Sequence, residues 1–374
     1  MNELTDRIEE AVAVARATAD QVDTEALFPA DTVRALGESG LLGLTLPVEQ
    51  GGLGAGPVEF AEVTAALARA CGSAAMVYLM HMSAAMTVAA APPPGRPELL
   101  PDLASGRTLG TLAFSEPGSR SHFWAPMSQA VRQDGQVRLD AVKSWVTSAG
   151  HAGIYVTSTG SADLPDAVDL YAVDAAAHGV EVTGQFSGLG LRGNASAPMK
   201  ITTGVGDADR IGAAGAGFDL MMGTVMPWFN LGNAAVSLGL AGGAATAAIA
   251  HAGTTRLQHT GQALAELPTI RARLARMSLQ FSAAEAYLRT AAASIAAPGE
   301  QTPLHVLGVK ALANDTALTV TDDAMRVCGG AAFSKQLPIE RLFRDARAGH
   351  VMAPTADALY DFYGRAITGL PLFG

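Results

Sequence analysis

The sequence has 374 residues, of which 49% are hydrophobic and 16% charged, a composition typical of a folded globular protein. Its formal net charge of −10 argues against nucleic-acid and anionic-membrane partners, because phosphate-rich surfaces bind positively charged proteins. Two cysteines, Cys71 and Cys328, are too few for a disulfide framework or a thiolate zinc site. Since no two histidines have a metal-binding spacing either, we predict no metal site.

Residues 1–106 are predicted to form a helical domain. Phe60, Val63, Leu67 and Cys71 recur in steps of three and four, which places them on one face of a helix. The first residues of the chain lack the basic region and the apolar region of a secretory signal. We therefore expect a cytoplasmic protein.

Residues 107–217 are predicted to form a β domain. Apolar and polar residues alternate around Asp134-Gly135, a dipeptide favoured in tight hairpins. No segment of this zone has the period of a long amphipathic helix. Further strand-like runs are Ile154–Ser158, Val168–Val173 and Val180–Thr183.

Residues 218–374 are predicted to form a helical domain with a four-helix bundle, because a long apolar stripe of helical period ends at Pro298-Gly299. The apolar stretch Ser237–Gly253 is short and interrupted by glycines, so we expect a buried helix and no membrane span. The fold class is therefore α+β, in the order helical, β, helical. The stripe consists of Leu267, Ile270, Leu274, Met277, Phe281, Leu288 and Ile295.

The segment Gly188–Gly193 matches the pattern G-x-G-x-x-G of dinucleotide-binding proteins. In those proteins the pattern closes a strand and opens a helix, whose N-terminus receives the pyrophosphate. Here the following residues include Pro198 and have no helical stripe. We therefore interpret the segment as a turn between strands.

Five short motifs follow one another in a particular order. They are Leu46–Gly54, Ala113–Ser121, Lys143–Gly150, Gly190–Gly193, and Gly329-Gly330 followed by Pro338–Arg347. In this order, and with a helical, β and helical zone, the chain resembles the acyl-CoA dehydrogenase family of flavoproteins. The resemblance covers nearly the whole chain and implies the fold of that family.

The resemblance implies FAD, extended between the β domain and the C-terminal helices of a homodimer or homotetramer. The segment with Phe114 and Ser115 would run along the isoalloxazine ring, and Ser121 would meet the pyrophosphate. Trp145 would pack on the ring and Thr147 would hydrogen-bond to it, since an indole covers a flat face and a hydroxyl pairs with a polar edge.

The resemblance also implies that a neighbouring subunit holds the far end of FAD. Gly329 and Gly330 would allow a close backbone approach that a Cβ would block, and Thr355 would meet the flavin phosphates or the ribitol. At two positions the sequence departs from the family pattern, and both concern the positively charged residue that binds the FAD pyrophosphate. Relatives have a Gln at the position of Arg326, and their Arg before a Phe-Gly pair is only partly matched around Arg256. The sequence leaves open which of these two arginines supplies the cation.

The usual catalytic base is missing. Relatives have a Glu directly before Gly-Thr, and the corresponding residue here is Ala353. The other familiar location, on the first helix of the C-terminal domain, corresponds to Met226–Leu231, which contains no carboxylate. Asp357, His350 and Tyr360 are near the vacant position in the sequence. Asp357, four residues beyond it, would share its face if that segment is helical.

Three functions remain open. In the first, an FAD-dependent enzyme oxidises an acyl thioester with a substitute base. In the second, a monooxygenase or N-hydroxylase uses reduced flavin and oxygen, and Trp228, Phe229 and Ala353 line its substrate pocket. In the third, the chain is a flavin-binding or scaffold protein without catalytic activity.

The carrier of the substrate is equally open. A CoA or phosphopantetheine chain requires cationic groups at the mouth of the pocket. Arg341, Arg344 and Arg347 are the basic residues of the C-terminal motif, but Glu340 and Asp345 beside them favour a structural role. The substrate is therefore predicted only as a small molecule or an acyl thioester.

Overall fold

The structure, a computed structural model, describes residues 3–373 of the chain. Helices form the first and last domains, and two β-sheets lie between them, in the predicted order. The N-terminal helices are α1 (Glu3–Thr24), α2 (Ala30–Glu38), α3 (Pro57–Ala70), α4 (Gly72–Ala90) and α5 (Leu99–Ala104).

The N-terminal domain packs around α4, a helix that is apolar on all sides and almost entirely buried. It contacts α3, the first β-strand and the long C-terminal helix Met226–Thr254. The predicted apolar face of α3 is confirmed, since Phe60, Val63 and Leu67 are buried and Cys71 ends the helix. Helix α4 therefore connects all three parts of the molecule.

The middle domain consists of two four-stranded sheets, with strand orders β1-β4-β5-β8 and β2-β3-β7-β6. The predicted hairpin is confirmed, because Gln133 pairs with Gln136 and both residues of Asp134-Gly135 have positive φ. The strands are β1 (Gly110–Ala113), β2 (Val131–Gln133), β3 (Gln136–Val146), β4 (Ile154–Gly160), β5 (Val168–Asp174), β6 (Val180–Val182), β7 (Ala197–Val205) and β8 (Arg210–Ile211).

The C-terminal domain is built around a central helix, α9, which packs against α7, α8, α11 and α12. The helix predicted from the long apolar stripe is α8. A π-helical turn, Met221–Val225, joins α6 to α7. The helices are α6 (Gly217–Leu220), α7 (Met226–Thr254), α8 (Pro268–Ala296), α9 (Thr302–Cys328), α10 (Gly330–Phe333), α11 (Ile339–Val351) and α12 (Ala356–Thr368).

Two helical stretches, Gly72–Ala90 and Gly217–Thr254, are long and apolar enough to cross a membrane by length and composition. Most of each lies inside the protein, with 78% and 67% of their most apolar windows buried. They are the core helices of the molecule. The segment Gly188–Gly193 opens no helix, as the sequence predicts.

Candidate active-site cleft

A cleft of about 990 Å³ lies between the β domain and the C-terminal helices. Its walls are the end of β1 with the following loop, the end of β3, and the junction between α11 and α12. The structure brings the following residues of the predicted cofactor and substrate sites to this cleft: Phe114, Ser115, Ser121, Trp145, Thr147, Phe229, Ala353, Thr355 and Asp357.

A buried ion pair holds the β wall of the cleft. Lys143 Nζ donates to Glu116 Oε1 and to the Ser158 carbonyl, both at 2.6 Å. The other carboxylate oxygen of Glu116 accepts the backbone N–H groups of Met127 and Ser128. Burial lowers the pKa of Lys143 to about 8 against the attraction of Glu116. Burial alone would raise the pKa of Glu116, but Lys143 and Ser128 outweigh it and the net shift is downward.

A β-bulge exposes Trp145 at the cleft. The register between β3 and β7 shifts between Lys143 and Val146, and Trp145 has a φ of 58°. Its side chain is 66% exposed and lies edge to face with Phe186, with 6.3 Å between the ring centroids. A large exposed aromatic residue on a strained backbone position is typical of a binding surface.

Hydroxyl groups line both walls. Thr147 Oγ1 lies 3.0 Å from Ser196 Oγ within the β wall. Ser121 Oγ, from the loop after β1, lies 3.0 Å from Thr355 Oγ1, the N-cap of α12. With Ser115, these side chains present several groups that both donate and accept hydrogen bonds. Such a set suits a ligand with a polar edge and phosphate oxygens.

A second buried lysine holds the helical wall. Lys310 on α9 donates to the carbonyls of Gly349, Met352 and Pro354 at 3.1, 3.0 and 2.7 Å. Asn314, one turn further along α9, donates to the same Gly349 carbonyl. The Gly349 carbonyl is in the last turn of α11 and the other two follow its end, where a helix leaves acceptors without partners and favours a cation. Burial lowers the pKa of Lys310 to about 7. Lys310 thus fixes the segment between α11 and α12.

The floor of the cleft is apolar. Met76 and Met80 on α4 are four residues apart and share a helix face, as do Val225 and Phe229 at the start of α7. Ala353, at the position of the usual base, faces the same space. The floor therefore suits a compact apolar group.

Trp228 does not line the cleft, contrary to the prediction. Its ring packs in the core, with its centroid 5.4 Å from that of Phe60 in an edge-to-face arrangement. Consecutive residues of an α-helix point about 100° apart, so α7 presents Phe229 to the cleft and turns Trp228 away from it.

Of the three candidate bases, Asp357 alone lines the cleft in the part of the chain that the structure describes. It lies in the first turn of α12. His350 Nδ1 is 3.5 Å from Asp315 Oδ1, and the Tyr360 hydroxyl donates to Asp315 Oδ2 at 2.6 Å. Both of these side chains are directed at α9. The prediction of a substitute base therefore narrows to Asp357.

The Arg-Asp motif of α11 has a structural role, as expected. Arg344 donates to both carboxylate oxygens of Asp23, at 2.9 and 2.6 Å. Buried Asp345 accepts the Leu191 N–H at 2.6 Å, and burial raises the pKa of Asp345 to about 6. A Cβ at Gly190 would lie 2.6 Å from the carbonyl carbon of Arg344. The glycine motif and the α11 motif thus form one packing unit behind the cleft.

Four of the predicted cofactor residues lie outside the cleft of their own chain. Arg256 donates to a carbonyl of its own loop at 3.0 Å, and Arg326 pairs with Asp322 at 2.8 Å. A Cβ at Gly329 or Gly330 would meet no atom of residues 3–373 within 4 Å. Their role toward the cofactor of a partner subunit stays a prediction.

Four residues at or behind the cleft are not predicted from the sequence as functional: Glu116, Arg120, Lys143 and Lys310. Three of them, Glu116, Arg120 and Lys143, lie within the motifs that carry the family resemblance, and this position could have indicated a role at the site. Lys310 carries no such signal, because a lysine in a helix is most often a surface residue. Its three acceptors lie on a segment far away in the sequence.

Models of the three acyl-CoA dehydrogenase domains match the chain in order: the N-terminal domain over residues 2–107, the middle domain over 111–203 and the C-terminal domain over 215–367. The probable acyl-CoA dehydrogenase YngJ of Bacillus subtilis is 25% identical over 349 residues, 91% of this chain and 90% of the relative. A cyclohex-1-ene-1-carbonyl-CoA dehydrogenase of Geobacter metallireducens is 28% identical over 355 residues, 93% of this chain and 92% of the relative.

Solved structures share the fold over the whole chain. Butyryl-CoA dehydrogenase from Megasphaera elsdenii has a TM-score of 0.91 at 21% identity, covering 98% of both chains. The prolyl acyl carrier protein oxidase AnaB has a TM-score of 0.88 at 19% identity, covering 98% of this chain and 99% of the other. With the three domain models in the same order, the chain belongs to the acyl-CoA dehydrogenase family of flavin-dependent oxidoreductases.

Proposed function

We propose that this protein is an FAD-dependent enzyme that oxidises the acyl group of a thioester, carried by CoA or by a carrier protein. The supporting observation is that one cleft combines hydroxyl-bearing walls, an apolar floor and the carboxylate of Asp357. The names of the curated relatives and of the carrier-protein oxidase are consistent with a thioester substrate.

The residues of the cleft fit FAD. The hydroxyls of Ser115 and Thr147 suit the polar edge of the isoalloxazine, and the exposed indole of Trp145 suits its face. Ser121 and Thr355 suit phosphate oxygens, since they lie at the N-terminus of α12, the positive end of that helix. Bound FAD supplies the acceptor for a hydride from the substrate.

Asp357 is the proposed base for the α proton of the acyl group. It lies in the first turn of α12 and lines the cleft together with the apolar floor, so its carboxylate is within the space that the acyl group would occupy. Met80, Val225 and Phe229 exclude water from the acyl group and limit it to a compact chain.

Anaerobic bleaching of the bound flavin tests this role. Acyl-CoA thioesters and the matching carrier-protein thioesters are offered to the wild type and to Asp357→Asn. We expect the variant to slow flavin reduction by about 10²- to 10⁴-fold, the usual cost of losing a general base. Asp361→Asn, on the same helix but paired with Arg365, is the matched control. Equal reduction rates in Asp357→Asn and the wild type would exclude Asp357 as the base.

A monooxygenase is the second candidate, and Ala353 is the observation that favours it. At the position of the usual base, Ala353 lies beside the apolar side chains of Phe229 and Met352. If no thioester bleaches the flavin, oxygen consumption by pre-reduced protein is measured with amine and aromatic substrates. Oxygen uptake coupled to product formation supports this candidate, whereas uptake that yields peroxide alone supports neither enzyme.

We also propose a cytoplasmic homodimer or homotetramer. Several large apolar side chains are exposed on the C-terminal helices, and a partner subunit would remove them from water. Phe333 is 84% exposed and is the last residue of α10. Light scattering of the purified protein tests the proposal, and a monomer at micromolar concentration would contradict it. These side chains are Leu279, Leu312, Phe333 and Ile367.

A further inference from the structure

Three arginines line the cleft, and two of them are engaged by other residues. Arg344 pairs with Asp23 and Glu340. Arg347 donates to Thr321 Oγ1 and to a backbone carbonyl, and its guanidinium stacks on Phe343 at 3.3 Å from the ring centroid. The Arg344 guanidinium is fully engaged through Nε, Nη1 and Nη2, and that of Arg347 is held by Nη1 and by its stacking on Phe343.

Arg120 differs from both. It is an exposed residue of the loop after β1, lines the cleft, and has no side-chain hydrogen bond or ion pair to any residue in the range 3–373. It directly precedes Ser121, whose hydroxyl lies 3.0 Å from that of Thr355. Its φ of 47° is in the left-handed region, which strains a residue with a Cβ. Residues held in such conformations concentrate at ligand sites.

We propose that Arg120 binds the diphosphate of FAD within its own chain; this inference rests on the proposed function. A phosphate oxygen forms its strongest hydrogen bonds with a guanidinium. Ser121 follows Arg120 in the chain, and Thr355 at the N-terminus of α12 lines the same cleft, where both favour an anion. Asp357 lines the same cleft but forms no ion pair with Arg120.

Arg120 is thereby a third candidate for the cation, beside Arg256 and Arg326. In their own chain, both lie outside the cleft and are engaged by other groups. Arg120 therefore supplies a cation without any contribution from a partner subunit. The consequence is that a single chain supplies one cation for the flavin diphosphate.

The test is titration of flavin-stripped, full-length protein with FAD, followed by fluorescence. We expect Arg120→Gln to weaken FAD binding about 10- to 100-fold, since it removes charge-assisted hydrogen bonds. Arg120→Lys retains part of the affinity. Arg107→Gln, whose guanidinium pairs with Asp102 outside the cleft, is expected to bind FAD like the wild type.

A structural role for Arg120 would give a different result. Arg120→Gly relieves the left-handed strain, so the unfolding temperature of the stripped variant is expected to be unchanged or higher while FAD affinity falls. A lower unfolding temperature with a proportional loss of FAD would overturn the proposal. So would an unchanged FAD affinity in both Arg120→Gln and Arg120→Gly.

A phosphate of the substrate carrier is the other source of the same chemistry. FAD-loaded protein is therefore titrated with CoA. CoA affinity that is equal in the wild type and Arg120→Gln supports the assignment to FAD. If Arg120→Gln weakens CoA and leaves FAD unchanged, the residue belongs to the carrier and the proposal fails while the proposed function stands. A wild type that binds no FAD overturns both.

Discussion

The two walls of the cleft are each held by a fully buried lysine, but the two lysines are neutralised differently. On the β wall, Lys143 has a carboxylate partner, Glu116, at 2.6 Å. On the helical wall, Lys310 has three carbonyl oxygens and no carboxylate within 4 Å in the described chain. Burial lowers the pKa of Lys143 to about 8 and that of Lys310 to about 7.

This difference shows two ways of fixing a loop from inside the core. The Lys143–Glu116 pair cross-links two motifs through opposite charges, so removing one partner leaves the other charge buried. Lys310 instead caps the end of α11 with the three donors of one ammonium group. Removal of Lys310 takes a donor from these backbone carbonyls but leaves no unpaired charge buried in the protein.

The largest expected effect comes from breaking the pair. Lys143→Met leaves the Glu116 carboxylate buried without its cation, which typically costs about 3–5 kcal/mol. We expect the free energy of unfolding, measured by urea denaturation, to fall by that amount. Lys200→Met is the control, because Lys200 is an exposed lysine on the neighbouring strand β7.

A double substitution separates the lost pair from the lost packing. In Glu116→Gln with Lys143→Met, the neutral amide still accepts from Met127 and Ser128, and no charge is buried. We expect the double variant to be more stable than Lys143→Met alone. If the two variants have the same free energy of unfolding, the buried unpaired charge does not account for the loss of stability in Lys143→Met.

Lys310→Met is expected to be milder, with a loss of about 1–3 kcal/mol at pH 7, because it leaves unpaired carbonyls only. Urea denaturation again measures the loss, with Lys335→Met, an exposed lysine, as control. A loss equal to that of Lys143→Met would mean that the three carbonyls hold their loop as firmly as an ion pair does.

The pH dependence gives a third test. The folded-state pKa of Lys310, about 7, lies below the ordinary value of 10.5, so above pH 7 the unfolded chain binds more protons. Stability contributed by this residue therefore rises with pH. Between pH 7 and pH 8 we expect the wild type to gain about 1 kcal/mol relative to Lys310→Met. A difference that is constant with pH would show that the ammonium keeps its proton.

The sequence predicted the elements whose pattern is local. The Asp134-Gly135 hairpin and the α8 stripe are examples, since turn chemistry and helical period depend on neighbouring residues. Most residues that the first motifs assigned to the flavin lie on the β wall of the cleft, where their contact with a flavin stays a prediction. The sequence did not show whether Trp228 or Phe229 faces the cleft. The segment Met226–Leu231 is largely apolar, so it has no polar face that would indicate which side of the helix is buried. Lys310 was missed because its acceptors are remote in sequence.

The smallest expected effect comes from a substitution that tests whether the flavin ring lies against the β wall of the cleft. Thr147 is buried beside Ser196, with 3.0 Å between the hydroxyl oxygens, and both face the cleft. Thr147→Val removes one hydrogen bond to the ring, so we expect FAD affinity to fall by about 0.5–1 kcal/mol, or about two- to five-fold. Fluorescence titration measures the change, with Thr183→Val, an exposed residue next to β6, as control. Trp145→Ala tests the same wall through stacking. Unchanged FAD affinity in both variants would mean that the flavin ring does not lie against the β wall. The difference between Lys143 and Lys310 would then affect the stability of the fold and not the binding of the flavin.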